Sequence, residues 1–177
     1  MLITDSKGTI IYGIISAALH ELGHLLCMRF FGYSVKIINF GCLNTDIVSC
    51  QFEDKKSILI FLSGSFINFL LAVIFGVLFV IYKTPLFKII AYQNIGLGVF
   101  NLLPISNLDG GQIFYTFLKK KLDEFSALKV LNVVSFTFIV PVFILGFYVL
   151  INSKYNFSLF ILSLYLISYI LFKEDIF

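Results

Sequence analysis

From Ser57 to Tyr82 the chain carries no charged side chain, a run long enough to cross the hydrocarbon core of a bilayer as a helix. A chain built from such runs must satisfy its backbone polar groups within each segment, because hydrocarbon offers no partners. Apolar runs of about 20 residues mark five expected spans, near residues 9–31, 57–82, 88–118, 130–151 and 155–172. The expected fold class is therefore an all-α membrane protein of about five transmembrane helices. Composition agrees: 59% of the 177 residues are hydrophobic, 13% are charged, and mean hydropathy is +0.99. A soluble domain of this size has no use for so much apolar surface. The net charge of +3 is spread over the loops with no basic stripe, so no nucleic-acid partner is expected. Cys27, Cys42 and Cys50 are too few and too irregular for a disulfide framework or a Cys-rich zinc site. The opening Met1–Lys7 lacks a signal peptide's basic start and small-residue cleavage site, so the first span is expected to be retained.

The spans differ in character. The third is interrupted by Asn94, Asn101, Pro104, Ser106, Asn107 and Asp109, and the fourth contains Pro141, where a kink is expected. Between spans one and two, residues 33–53 mix β-branched, aromatic and polar side chains around turn signals at Gly41 and Asn44. They read equally well as a short membrane-associated β-hairpin or as an irregular amphipathic loop. Of 13 basic residues, nine (Arg29, Lys36, Lys55, Lys56, Lys119, Lys120, Lys121, Lys129 and Lys173) follow spans one, three and five. That bias predicts an outside N-terminus and a cytoplasmic C-terminus.

Within the first span stands His20-Glu21-Leu22-Gly23-His24. On a helix the two histidines lie one turn apart on one face, so both can reach one metal ion, with Glu21 beside them to accept a proton from the attacking water. The pattern is short and occurs by accident in soluble helices, but ionisable groups are costly in hydrocarbon and mark function there. Catalytic zinc usually takes three protein ligands. Asp109 is the strongest candidate for the third, in a span that Pro104 breaks and Asp109-Gly110-Gly111 reopens. Its plain alternative is a helix N-cap for residues 112–119. Cys27, three residues past His24, is a rival ligand whose plain reading is a small apolar core residue.

These residues carry a family resemblance. The chain resembles the site-2 protease family of intramembrane zinc metalloproteases, most closely its compact sporulation-factor-processing branch. His20–His24 matches the zinc motif of the first core helix. Gly64-Ser65-Phe66-Ile67-Asn68 is similar to the Gly-Pro-x-x-Asn motif of the second, and Asn101–Gly111 to the Asn-x-x-Pro…Leu-Asp-Gly-Gly motif of the third. The resemblance implies one zinc ion held by His20, His24 and Asp109, with Glu21 as general base and Asn68 and Asn101 at the substrate or the oxyanion. It implies a three-helix catalytic core over residues 1–118, two C-terminal helices over 119–177, and no regulatory domain of the PDZ or CBS kind. Ser65 and Ser106 stand where the family usually or often has proline. The implied partners are a transmembrane protein substrate, the lipid bilayer of a bacterial cell and a regulatory membrane protein. The expected activity is peptide hydrolysis within the membrane. The alternatives are a catalytically silent membrane binding or immunity protein that keeps the motif, and a zinc transporter, which would need further intramembrane ligands.

Overall fold

The computed structural model describes residues 6–33, 39–40, 45–46, 54–153 and 158–173. Six helices occupy them: α1 (Ser6–Phe30), α2 (Asp54–Tyr82), α3 (Pro85–Asn101), α4 (Asp109–Leu118), α5 (Glu124–Ser153) and α6 (Ser158–Lys173). Two two-residue strands, β1 (Asn39–Phe40) and β2 (Thr45–Asp46), pair antiparallel with Asn39 opposite Asp46. The remainder of the expected β-like stretch, with Cys42 and Cys50, lies outside the described residues.

The molecule is an all-α membrane protein. Ile10–Phe30, Asp54–Tyr82 and Glu124–Asn152 are long and apolar enough to cross a bilayer. The expected third span is two helices: α3 ends at Asn101, and the chain runs irregularly from Leu102 to Leu108, past Pro104, which disfavours a helix, before α4 begins. α5, in contrast, runs through Pro141 as one helix. Polarity is inverted relative to a soluble protein: Ile14, Leu26, Phe66, Val73 and Val133 are exposed, while Ser16, His20, His24, Asn68, Asn94 and Ser135 are buried. Lipid solvates the apolar outside, and the polar groups find partners within.

The chain forms two compact units, Met1–Leu102 and Leu103–Phe177. In the first, α1 ends in a Schellman turn. Gly32 takes φ +78°, its N–H donates to the Arg29 carbonyl, and the Tyr33 N–H donates to that of Met28. α2 ends at Lys83 (φ 55°), whose N–H donates to the Phe79 carbonyl. Thr84 is extended, as is favoured for the residue before a proline, and Pro85 opens α3. This two-residue link makes α2 and α3 adjacent antiparallel helices. In the second unit, α5 packs against both α4 and α6, and the Asp123 carboxylate caps α5 by accepting from the Ser126 N–H at 3.0 Å.

Candidate metal centre

The two histidines are brought together as their spacing predicts. Both are buried, at 5% and 6% exposure, and their Nε2 atoms lie 3.1 Å apart with the rings edge to face. Two zinc–nitrogen bonds of about 2.0–2.1 Å at a tetrahedral angle set their nitrogens ~3.3 Å apart, so the pair fits a single zinc ion. Glu21 follows His20 on the exposed side of α1.

One stripe of α2 holds the rings in place. Ile60, Gly64 and Asn68, at i, i+4 and i+8, face the histidines with the helices antiparallel, Ile60 meeting His24 and Asn68 meeting His20. His24 Nδ1–H donates to the Ile60 carbonyl at 2.7 Å, and Ser63 Oγ donates to the same oxygen at 2.6 Å. With its proton on Nδ1, a neutral His24 has its lone pair on Nε2, the form a metal ligand needs. Asn68 Nδ2 lies 3.0 Å from His20 Nδ1, and Asn68 is fully buried.

Gly64 makes the arrangement possible. A Cβ there would overlap His24 Nε2 and stand 2.6 Å from His24 Cε1 and 2.7 Å from His20 Cε1. Gly23 does the same for the helix crossing, since its Cβ would meet the Ser63 carbonyl and Ile67 Cγ1, each at 2.9 Å. Two glycines thus let α1 and α2 approach to near backbone contact.

α3 closes this group from a third side. Asn94 Nδ2 donates to Ser16 Oγ at 3.0 Å, one turn before His20, and also to the Ile90 carbonyl at 2.9 Å. Ser65, where the family usually has proline, uses its hydroxyl to donate to the Gly98 carbonyl at 3.2 Å. Gly98 lets α3 pass close to the Phe69 ring of α2, since a Cβ there would stand 3.0 Å from Phe69 Cε1. Asn101, at the end of α3, donates through Nδ2 to the Leu97 carbonyl. Such interhelical bonds contribute roughly 0.6 kcal/mol each in a membrane, so they set register more than stability.

In the second unit, Asp109 is the first residue of α4, and the cap position itself falls on Leu108. The loop before it is pinned by side chains. The Ser106 N–H donates to Ser135 Oγ at 2.8 Å, and that hydroxyl donates to the Leu131 carbonyl at 2.7 Å. Gln112 Nε2 donates to the Ser106 carbonyl at 3.0 Å. A Cβ on Gly111 would overlap the Ile105 carbonyl oxygen, so the turn admits only glycine there.

Sequence reasoning passed over four of these groups: the Ile60 carbonyl, Ser16, Ser65's hydroxyl bond and Ser135. Ser16 carries a legible signal, standing one turn before His20 on the same face. Ser135 has only its polarity within an apolar span. The Ile60 carbonyl has none, because every residue owns one.

Comparison with known proteins finds similarity to zinc metalloproteases. The pattern of peptidase family M50 matches residues 83–145, which include the Asn101–Gly111 motif. A Bacillus subtilis (strain 168) protein named as a candidate peptide zinc metalloprotease, YydH, is 28% identical over 165 residues, covering 87% of this chain and 62% of its own length. A zinc metalloprotease of Methanocaldococcus jannaschii is 24% identical over 121 residues, 66% of this chain and 36% of its own. The chain thus spans less than two thirds of either curated relative. A solved structure of a site-2 protease from Methanocaldococcus jannaschii superposes with a TM-score of 0.68 at 21% identity, over 88% of this chain and 72% of that one, and so shares its fold.

Proposed function

We propose that this chain, which resembles the site-2 protease family in its motifs and its fold, is an intramembrane zinc metalloprotease. Its reaction is hydrolysis of a peptide bond within or near a transmembrane segment of a membrane protein, as in regulated intramembrane proteolysis. The observation that carries the reading is the buried pair of Nε2 atoms 3.1 Å apart, with Gly64 leaving room beside them.

His20 and His24 would hold one zinc ion, with Asp109 as the third protein ligand that the family resemblance assigns, in a catalytic core over residues 1–118. When bound, zinc supplies a Lewis acid that lowers the pKa of its water to about 7 and polarises the scissile carbonyl. Glu21 accepts the proton of the attacking water and returns it to the departing amide nitrogen. The second N–H of the Asn101 amide, beyond the one given to Leu97, is assigned to the developing oxyanion. The β1–β2 pair supports a role for residues 33–53 in holding a locally unwound substrate by strand addition. The distribution of basic residues supports an outside N-terminus, with the histidines in the cytoplasmic half of the bilayer.

The test is Glu21→Gln in the full chain, read by zinc content and by comparative membrane proteomics. Turnover should fall about 10²–10⁴-fold with zinc retained, so that a transmembrane fragment accumulates. Identical fragment patterns with zinc bound in both forms would show that the protein is not a protease. Asp109→Asn should lower zinc content and Cys27→Ser should not; the reverse result moves the third ligand to Cys27.

A further inference from the structure

We propose that Asn68 is the positioning residue that makes His20 a metal ligand, by turning its carboxamide oxygen toward His20 Nδ1 when zinc is held. The inference rests on the reading that His20 and His24 bind zinc, and it gives Asn68 a place behind the ring instead of at the substrate.

A ligating imidazole offers a lone pair on the nitrogen facing the metal, so a neutral ring carries its proton on the other nitrogen and needs an acceptor there. His24 already meets this condition through the Ile60 carbonyl at 2.7 Å. Beside His20 Nδ1, at 3.0 Å, stands Asn68 Nδ2, which is a donor. That contact fits the other tautomer, with the His20 proton on Nε2. The hydrogen bonds then run in one direction, from Asn68 to His20, from His20 Nε2–H to His24 Nε2, and from His24 Nδ1–H to Ile60. These three contacts form a self-consistent chain of hydrogen bonds.

Asn68 also carries the means to reverse it. Its Oδ1 is buried and, among the described residues, has no hydrogen-bond partner. A half-turn of the planar amide exchanges Oδ1 and Nδ2 with almost no change of shape. The oxygen then accepts from His20 Nδ1–H, and the His20 Nε2 lone pair is released toward the metal. The rest of the side chain need not move, since the rotation is about the bond that carries the amide and the residue is fully buried. One face of α2 would therefore supply the rear partner of both ligands, Ile60 by its backbone and Asn68, two turns on, by its side chain.

The experiment uses the purified full chain in lipid nanodiscs, with zinc affinity measured by chelator competition and imidazole tautomers read from ¹⁵N-histidine spectra. In the wild type, the His20 proton should sit on Nε2 without zinc and on Nδ1 with it. Asn68→Asp, whose carboxylate only accepts, should hold the Nδ1–H form throughout and bind zinc at least as tightly. Asn68→Leu should bind zinc roughly 10–100-fold more weakly, the usual loss for an outer-sphere partner. Recovery of affinity in the aspartate variant separates positioning from packing. The inference fails if the His20 tautomer is the same with and without zinc, or if Asn68→Asp binds as weakly as Asn68→Leu. It fails equally if Asn68 variants lose activity with zinc affinity unchanged, which would return Asn68 to the substrate. Failure of the zinc reading itself looks different: His20→Ala and His24→Ala would then leave zinc affinity untouched.

Discussion

The histidines of α1 and the loop before α4 are both held in place, by opposite means. The histidines sit on an uninterrupted helix, and their geometry comes from close approach: glycines at 23 and 64 remove the side chains that would keep α1 and α2 apart. Asp109 follows a break in the helical backbone, and its loop is fixed by polar side chains reaching into exposed backbone groups, Ser135 to Ser106 and Gln112 to Ser106. A regular helix needs only register and space to aim a ligand. An interrupted one leaves peptide groups without partners, and each must be satisfied before the segment is stable at membrane depth. The first region should therefore be sensitive to added volume and the second to lost hydrogen bonds.

The largest effect should come from Gly64→Ala. Its Cβ would overlap His24 Nε2, so zinc affinity should fall by more than about 100-fold, beyond the usual range for outer-sphere changes. Chelator competition measures it; near-normal affinity would mean that α1 and α2 are not held at this spacing. Ser135→Ala comes next. It strands the buried Ser106 N–H, and the cost should be about 1–3 kcal/mol, seen as a lower unfolding midpoint in detergent; an unchanged midpoint would mean that the loop before α4 does not depend on this bond. Ser65→Ala removes one α2–α3 bond and should cost only about 0.6 kcal/mol; a loss as large as that of Ser135→Ala would show that regular helices are pinned as interrupted ones are.

The smallest effect concerns Asp123. Its acceptance of the Ser126 N–H holds its carboxyl below the ordinary carboxylate range. A lowered folded pKa means the charged cap stabilises α5 above the unfolded value and is lost as pH falls through the folded one. Asp123→Asn should therefore reduce stability slightly at neutral pH, and the difference from wild type should vanish in acid, once the folded carboxyl has been protonated. A difference that persists in acid would assign the effect to helix propensity instead.

Much of this was legible in the residues. Apolar runs located the helices, and the spacing of His20 and His24 placed both rings on one face, because each depends on neighbours in sequence. The split of the third span was signalled by Pro104, whose ring and missing N–H disfavour a continuing helix, although α5 shows at Pro141 that a proline alone does not force a break. The partners of the rings were not legible in the same way. That Ile60 lies behind His24 and Asn68 behind His20 depends on how α1 and α2 slide past each other, which close packing at Gly23 and Gly64 decides. Asn68 illustrates the gap: its motif marked it as a site residue, but not which side of the imidazole it occupies. Ser135 lies 29 residues from the amide it satisfies, and no local pattern connects them.

The bond between Ser106 and Ser135 also bears on how this chain can change over time. Proline, which the motif this segment resembles often has where Ser106 stands, has no N–H to give to the Ser135 hydroxyl. Substituting it here would remove the reason for a hydroxyl at 135, and an apolar residue at 135 would in turn strand the amide of Ser106. The two positions form an epistatic pair: in related sequences, serine at one should predict a small hydroxyl residue at the other, and proline at 106 should release 135 to become apolar.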